Sequence, residues 1–216
     1  MLYFSKMTGI GNDYVYINCM DVKMNLNVKT DIEILKNNIT KFTKKISNRN
    51  FGVGSDGIIL IENSNIADAK MRIFNSDGSE AKMCGNGIRC VAKYVYDKGL
   101  TDQTQISVIS AGRIKYLDLH VENGRVSTVK VNMGEPILKA CEIPVLAEDE
   151  KGEVIADPIE IEGKAYRMTC VSMGTPHAVV FVEDVQDFPL EQVGPGLEKH
   201  PRFPKRVNAE FVKILD

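Results

Sequence analysis

The 216-residue sequence predicts an α+β protein of two pseudo-repeated, mainly β domains, each wrapped around a helix. Three observations carry that expectation. Short runs with strand-like alternation, bounded by glycine, asparagine and aspartate, recur along the chain. One segment keeps a clean helical period: Ile88, Val91, Ala92 and Val95 follow the glycine-rich MCGNG and stop at Gly99. The second half then echoes the first. HAVVFVEDV follows a glycine turn as DYVYINCMDV does, and RVNAEFVKI resembles VGSDGIILI. The expected domains are 1–129, carrying the cysteine–helix unit, and 130–216. In the first, Cys84 lies 28 residues after Asp56. A matching unit in the second would fall roughly twenty residues past Asp216, so the second domain is expected to be incomplete.

Taken in order, LYFSKM, TGIGND and YVYINC read as strand, tight loop and strand, with Asn12 and Asp13 at the loop's exit. Spacing alone makes that pair turn chemistry. Asp31 to Ser47 reads as one helix with Ile32, Leu35, Ile39, Phe42 and Ile46 on one face, capped by Thr30 or Asp31. RNFGVGSD is a glycine turn leading into the strand GIILIE; because a strand and not a helix follows, its G-x-G is a weak phosphate signal. Ala69 to Phe74 is a strand, and Asp77-Gly78 a turn. After the helix come TQISVIS, RIKYLDLHVE and RVSTVKVN, the last two joined by an Asn123-Gly124 hairpin. His120 lies in that hairpin and reads as structural. EIPVL, PIEIEG, AYRMTCVS, HAVVFV and AEFVKIL are further strands, with a short helix near Leu190.

The composition is that of an ordinary globular protein: 44% hydrophobic and 26% charged residues. A net charge of −2 gives no footprint for nucleic acid, and Lys41, Lys44 and Lys45 read as the wet face of a helix. No apolar run reaches membrane-spanning length and no leader opens the chain, which predicts a cytoplasmic protein with no membrane partner. The five cysteines, Cys19, Cys84, Cys90, Cys141 and Cys170, are odd in number and unclustered, as expected of reduced thiols. No Cys/His spacing predicts a metal.

The chemistry concentrates at Cys84, just before a helix N-terminus and among small residues. Free N–H groups and the positive end of the helix dipole favour an anion there, a thiolate or a ligand carboxylate. Such a thiolate suits nucleophilic attack on an acyl carbon or removal of a proton from carbon. His177, in a turn ahead of a strand, would tune Cys84 if the two halves face each other; alone it is as well explained as a turn or core histidine. Asn12, Asn75 and Asn86, each near glycine, together with Asn208, all at strand or helix ends, would line a site for a small zwitterion.

KMTGIGNDYVYI, RNFGVGSDGIILIE, MRIFNSDGSEAKMCGNGIRC, VNMGEP, VSMGTPHAVVFV and FPKRVNAEFV resemble, in order from Lys6 to Leu215, the signature blocks of the diaminopimelate epimerase family. The resemblance implies a pyridoxal-independent isomerase that needs no cofactor. It would invert one α-carbon of diaminopimelate, between the L,L and meso forms, for lysine and peptidoglycan synthesis. Two thiols work from opposite faces of that carbon, one removing the proton and the other returning one. Cys84 matches the first of them, and Gly85 and Asn86 match the clamp beside it. Asn12, Asn75 and Asn208 match substrate-binding asparagines, and His177 the histidine that sets thiol protonation. Three departures stand out. The block G-E-T-x-A-C-G-[TS]-G with the second cysteine and its Glu-Arg pair is not found, and Cys19, Cys90, Cys141 and Cys170 do not match it. Thr175 stands where many members carry Asn, and Gly57 where some carry Gln. A non-catalytic amino-acid-binding remnant and a related cofactor-independent racemase are the alternatives. The apolar surface left by an incomplete second domain predicts low stability, or its compensation by self-association as a homodimer.

Overall fold

The computed structural model describes residues 2–20, 26–81, 83–149 and 152–215, without the side chains of residues 26–30. The chain divides into two compact units, Met1–Met133 and Gly134–Asp216.

In the first unit the elements run β1 (Ser5–Gly9), β2 (Asn12–Asn18), α1 (Leu26–Asn37), α2 (Ile39–Ser47), β3 (Gly57–Glu62), β4 (Ala69–Asn75), β5 (Glu80–Ala81), α3 (Gly85–Asp97), β6 (Gln105–Ser110), β7 (Arg113–Glu122) and β8 (Arg125–Val131). They build a sheet in the order β1-β2-β3-β4-β6-β7-β8, with the short β5 beside β4. Helix α3 touches both β1 and β8, the two ends of that order, so the sheet curls around it. The apolar face read from the sequence is the one buried: Ile88, Val91, Ala92 and Val95 pack on Tyr14, Tyr16, Ile59, Ile61 and Ile73. Strand β3 is buried along its whole length because it serves two cores. Ile59 and Ile61 face α3, while Ile58 and Leu60 face α1 and α2 through Leu35, Ile39, Phe42 and Ile46.

Two expectations are corrected here. The single helix over 31–47 is two helices, and the first begins at Leu26, so Thr30 and Asp31 are interior positions and not caps. The break is at Asn38, whose side-chain amide donates to the Ile34 carbonyl (3.1 Å) while its backbone N–H turns to Leu35 (3.0 Å). An asparagine that competes for its own helix's carbonyls ends the helix there. The apolar stripe continues across the break, which is why the periodicity read as one element. The second correction concerns EIPVL. It is a turn, in which Val145 N–H donates to Ala140 (3.1 Å) and Ile143 N–H to Lys139 (3.1 Å). Pro144 denies that run a ladder donor, and Ile143 and Val145 are buried without being a strand.

In the second unit β9 (Asp157–Ile161), β10 (Lys164–Ser172), β11 (Pro176–Phe181), α4 (Leu190–Glu198) and β12 (Asn208–Val212) form a sheet in the order β12-β11-β10-β9. Val193 and Leu197 of α4 close its core on Ile159, Ile161, Met168, Cys170, Ala178 and Val180. The internal echo has a topological counterpart. β1 and β2 are antiparallel, and β2 then crosses through helices to the parallel β3; β10 and β11 are antiparallel, and β11 crosses through α4 to the parallel β12. Helix α4 therefore takes the place of α1–α2, not that of α3. Among the described residues no helix is long and apolar enough to cross a membrane.

Candidate active site

The site in the first unit is assembled by strand register. Parallel pairing sets Tyr14 beside Gly57, and antiparallel pairing sets Gly57 beside Asn75. The start of β2, the start of β3 and the end of β4 therefore meet at one end of the sheet. Gly57 is needed for this approach: a Cβ there would lie 2.0 Å from the Phe74 carbonyl oxygen. No side chain at 57 fits this backbone, which is the structural meaning of a glycine at that position.

Cys84 is the N-cap of α3, with extended backbone (φ −143°, ψ 106°). Its sulfur does what a serine or aspartate oxygen does at a cap, accepting the Gly87 N–H at 3.2 Å. Gly87 lets the first turn sit close on the sheet, since a Cβ there would be 2.7 Å from Ile59 Cδ1. Gly85 and Asn86 occupy the first two helical positions, where N–H groups have no intrahelical acceptor and face any anion at the helix head. On its other side the Cys84 thiol donates to Asn12 Oδ1 at 3.2 Å. Residues 72 apart in sequence thus share one hydrogen bond.

Asn12 is itself held. Its Nδ2 donates to Asp56 Oδ2 at 2.7 Å, and the same carboxylate oxygen accepts the Asp13 N–H at 3.0 Å. Arg49 clamps both acids, at 2.7 Å to Asp13 Oδ1 and 2.9 Å to Asp56 Oδ1, and Lys6 reaches Asp13 at 3.0 Å. The Arg49 hydrogen bond, with help from Lys6, holds the Asp13 carboxyl down to about 2. Tyr14, buried between Cys84 and Asp56, has its hydroxyl pushed up to about 12, first by burial and then by those two groups. Beneath it the Tyr16 hydroxyl is fully buried with no hydrogen-bond partner among the described residues, next to the Cys90 thiol, which burial pushes up.

Among the sequence-derived residues, Cys84, Gly85, Asn86 and Asn12 come together at the helix head. Asn75 stands at the same end of the sheet with its amide given to Ser79 Oγ at 3.1 Å, and the Asn86 carbonyl is taken by Arg89 of its own helix. In the second unit His177 and Asn208 are register partners across the parallel β11–β12 pair. His177 Nδ1 lies 2.5 Å from Glu210 Oε1, so Nδ1 carries the proton, while Nε2 meets Thr175 Oγ1 at 3.1 Å. Thr175, Asn208, Lys205 and Arg206 line a cleft of about 560 Å³. Sequence reading missed Asp56, Arg49, Tyr14 and Glu210. For the first two there was a signal: an arginine and an aspartate bracketing the 49–56 glycine turn, seven residues apart.

The fold and this thiol-capped helix define a class. The chain has the fold of a probable proline racemase from Agrobacterium radiobacter K84 (TM-score 0.60, 14% identity, 92% of this chain and 55% of that one). A hydroxyproline epimerase from Agrobacterium vitis is similar in the same way (TM-score 0.56, 13% identity, 92% and 56%). The class is therefore that of the racemase and epimerase fold, and the chain spans a little over half of each of these two proteins. Within it, the diaminopimelate epimerase family model matches residues 4–139. The diaminopimelate epimerase of Acetivibrio thermocellus is 52% identical over 213 residues, 99% of this chain and 71% of that protein. That of Agathobacter rectalis is 53% identical over 217 residues, covering 98% and 72%. The chain belongs to the diaminopimelate epimerase family.

Proposed function

We propose that this protein is a pyridoxal-independent isomerase acting on diaminopimelate, with Cys84 as one of the two groups that move the α-proton. The observation that carries the reading is the Cys84 sulfur at the cap of α3, between the Gly87 N–H and the Asn12 carbonyl. When deprotonated, Cys84 takes the α-hydrogen as a proton, re-forming S–H, and leaves the electron pair on carbon; as the thiol it gives a proton to that carbon in the reverse direction. A substrate carboxylate at the amides of Gly85 and Asn86 draws that charge toward the helix head. Inversion requires an acid on the opposite face of the same carbon, because a thiol that both removes and returns the proton restores the original configuration. Within the first unit Asn75 and Asn86 bind the zwitterionic substrate; in the second unit Asn208 and His177, its Nδ1–H given to Glu210, are the residues that the family resemblance assigns to substrate binding and proton transfer. The setting is the cytoplasm, the partner a small free amino acid and not a nucleic acid, and self-association as a homodimer is expected to show in sedimentation.

Proton NMR in D₂O with L,L- and meso-diaminopimelate tests this, following loss of the α-proton signal and interconversion separately. Exchange at the α-carbon supports the role of Cys84, and interconversion locates a second acid. Binding without either, or no binding, overturns the reading.

A further inference from the structure

The orientation of the Asn12 amide is fixed by chemistry. Asp56 is a carboxylate and can only accept, so the amide nitrogen of Asn12 must face it, at 2.7 Å. The amide oxygen is then the atom that faces the Cys84 sulfur, at 3.2 Å. An acceptor there holds S–H. Rotated the other way, the same amide would offer N–H to the sulfur beside the N–H that Gly87 already offers, and both contacts would then favour the thiolate. Asp56 cannot release the amide easily, because Arg49 grips Asp56 and Asp13 together and the loop bearing Arg49 is tied down by Asn48 Oδ1, which accepts from Asn50 N–H at 2.9 Å and Phe51 N–H at 2.8 Å.

We propose that Asp56 is a positioning residue that locks the Asn12 carbonyl onto the Cys84 sulfur and so sets the protonation state in which the thiol waits for substrate. The proposal rests on the reading of Cys84 as the proton-transfer thiol. Among the described residues, the titratable and charged neighbours come from several elements. Tyr14 and Tyr16 rise from β2, and Asp56 and Arg49 come from the 49–56 loop. Cys90 and Arg89 belong to α3 itself, and on β7 Lys115 gives its amine at 2.5 Å to the carbonyl of Met133, the residue whose side chain lies beside Gly85. The two tyrosines are pushed up by burial and stay neutral through the range in which a thiol titrates, so they add no charge to the balance that the Asn12 orientation sets.

The test is the pH dependence of Cys84 alkylation by iodoacetamide in the full chain, resolved by peptide mass spectrometry with the exposed Cys141 as internal reference. In D56N the freed amide turns its N–H to the sulfur, and the reactive transition moves to lower pH by about one unit, roughly tenfold in rate below the transition. N12A, which removes the carbonyl acceptor, also moves it down; if the amide nitrogen faced the sulfur it would move up. In the N12A background D56N adds no further shift. An upward or absent shift in N12A, an absent shift in D56N, or an undiminished D56N shift in the N12A background overturns the proposal, the last because it would make Asp56 act directly by charge. N12A alone decides the sign should D56N not fold. Alkylation reads the sulfur and not turnover. Shifts as described in a protein that exchanges no α-proton would refute the proposed function and leave the role of Asp56 standing.

Discussion

Cys84 has two roles that substitution can separate, because it is both the cap of α3 and the thiol at its head. Removing the side chain in Cys84→Ala orphans the Gly87 N–H, now bonded at 3.2 Å. Loss of a cap costs about 0.5–2 kcal/mol, and sulfur's weakness as an acceptor puts this one near the low end, at about 1 kcal/mol. For a chain of this size that is a fall in Tm of about 2–4 °C. Cys84→Ser keeps both partners, accepting from Gly87 and donating to Asn12, and serine is among the preferred cap residues. It should be as stable as the parent within about 0.5 kcal/mol. Its chemistry should nonetheless be lost, since a hydroxyl is a far weaker base than a thiolate: exchange of the diaminopimelate α-proton should fall by at least about 10²–10⁴-fold. Urea unfolding and exchange in D₂O, measured on the same three proteins, check both halves. A serine variant exchanging at the parental rate refutes the proton-transfer role. One as unstable as the alanine variant refutes the capping account.

Two further outcomes follow from the same end of the sheet. Asp13 is held at about 2 in the folded protein, below its ordinary value of 3.8. Its ion pairs therefore stabilise the fold above about pH 4 and are lost as pH falls toward 2. With Arg49 more than half exposed, screening reduces their contribution to about 1 kcal/mol. The stability gap between the parent and D13N should be present at pH 6 and close by pH 2; a gap that does not change with pH would contradict this. Gly57→Ala places a Cβ 2.0 Å from the Phe74 carbonyl, so β3 and β4 must part there. Overpacking and disturbed ladder bonds together give a loss of about 2–4 kcal/mol by urea unfolding, and a loss below about 0.5 kcal/mol would show that the approach relaxes freely.

What was legible in the sequence was local. The period of α3, the placement of Cys84 at its head, the Asn123-Gly124 hairpin and the strand GIILIE all rest on residues within a few positions of each other. The extra break at Asn38 escaped because it leaves the apolar stripe intact, and EIPVL misled because buried residues in a turn alternate as a strand does. The site was legible only as single residues. Asn12 and Asp13 read as turn chemistry because their partners, Asp56 and Arg49, are 44 and 36 positions away, and only the β2–β3 register brings them near. Glu210 was hidden in the same way, 33 positions from His177. Sequence spacing reports helical and strand periods; it carries no signal for a contact created by the pairing of distant strands.

The curl of the first sheet around α3 also fixes an order of events in folding. The helix must be held by β1, near the start of the chain, and by β8, more than a hundred residues later, and contacts of such separation form slowly because a long loop has to be closed before they can be made. The hydrogen bond from Cys84 to Asn12 belongs to the β1–β2 end of that closure. Protection of Cys84 from a thiol reagent during refolding should therefore lag the appearance of helical signal. The thiol that caps α3 would thus serve as a clock for the last step of assembling its own unit.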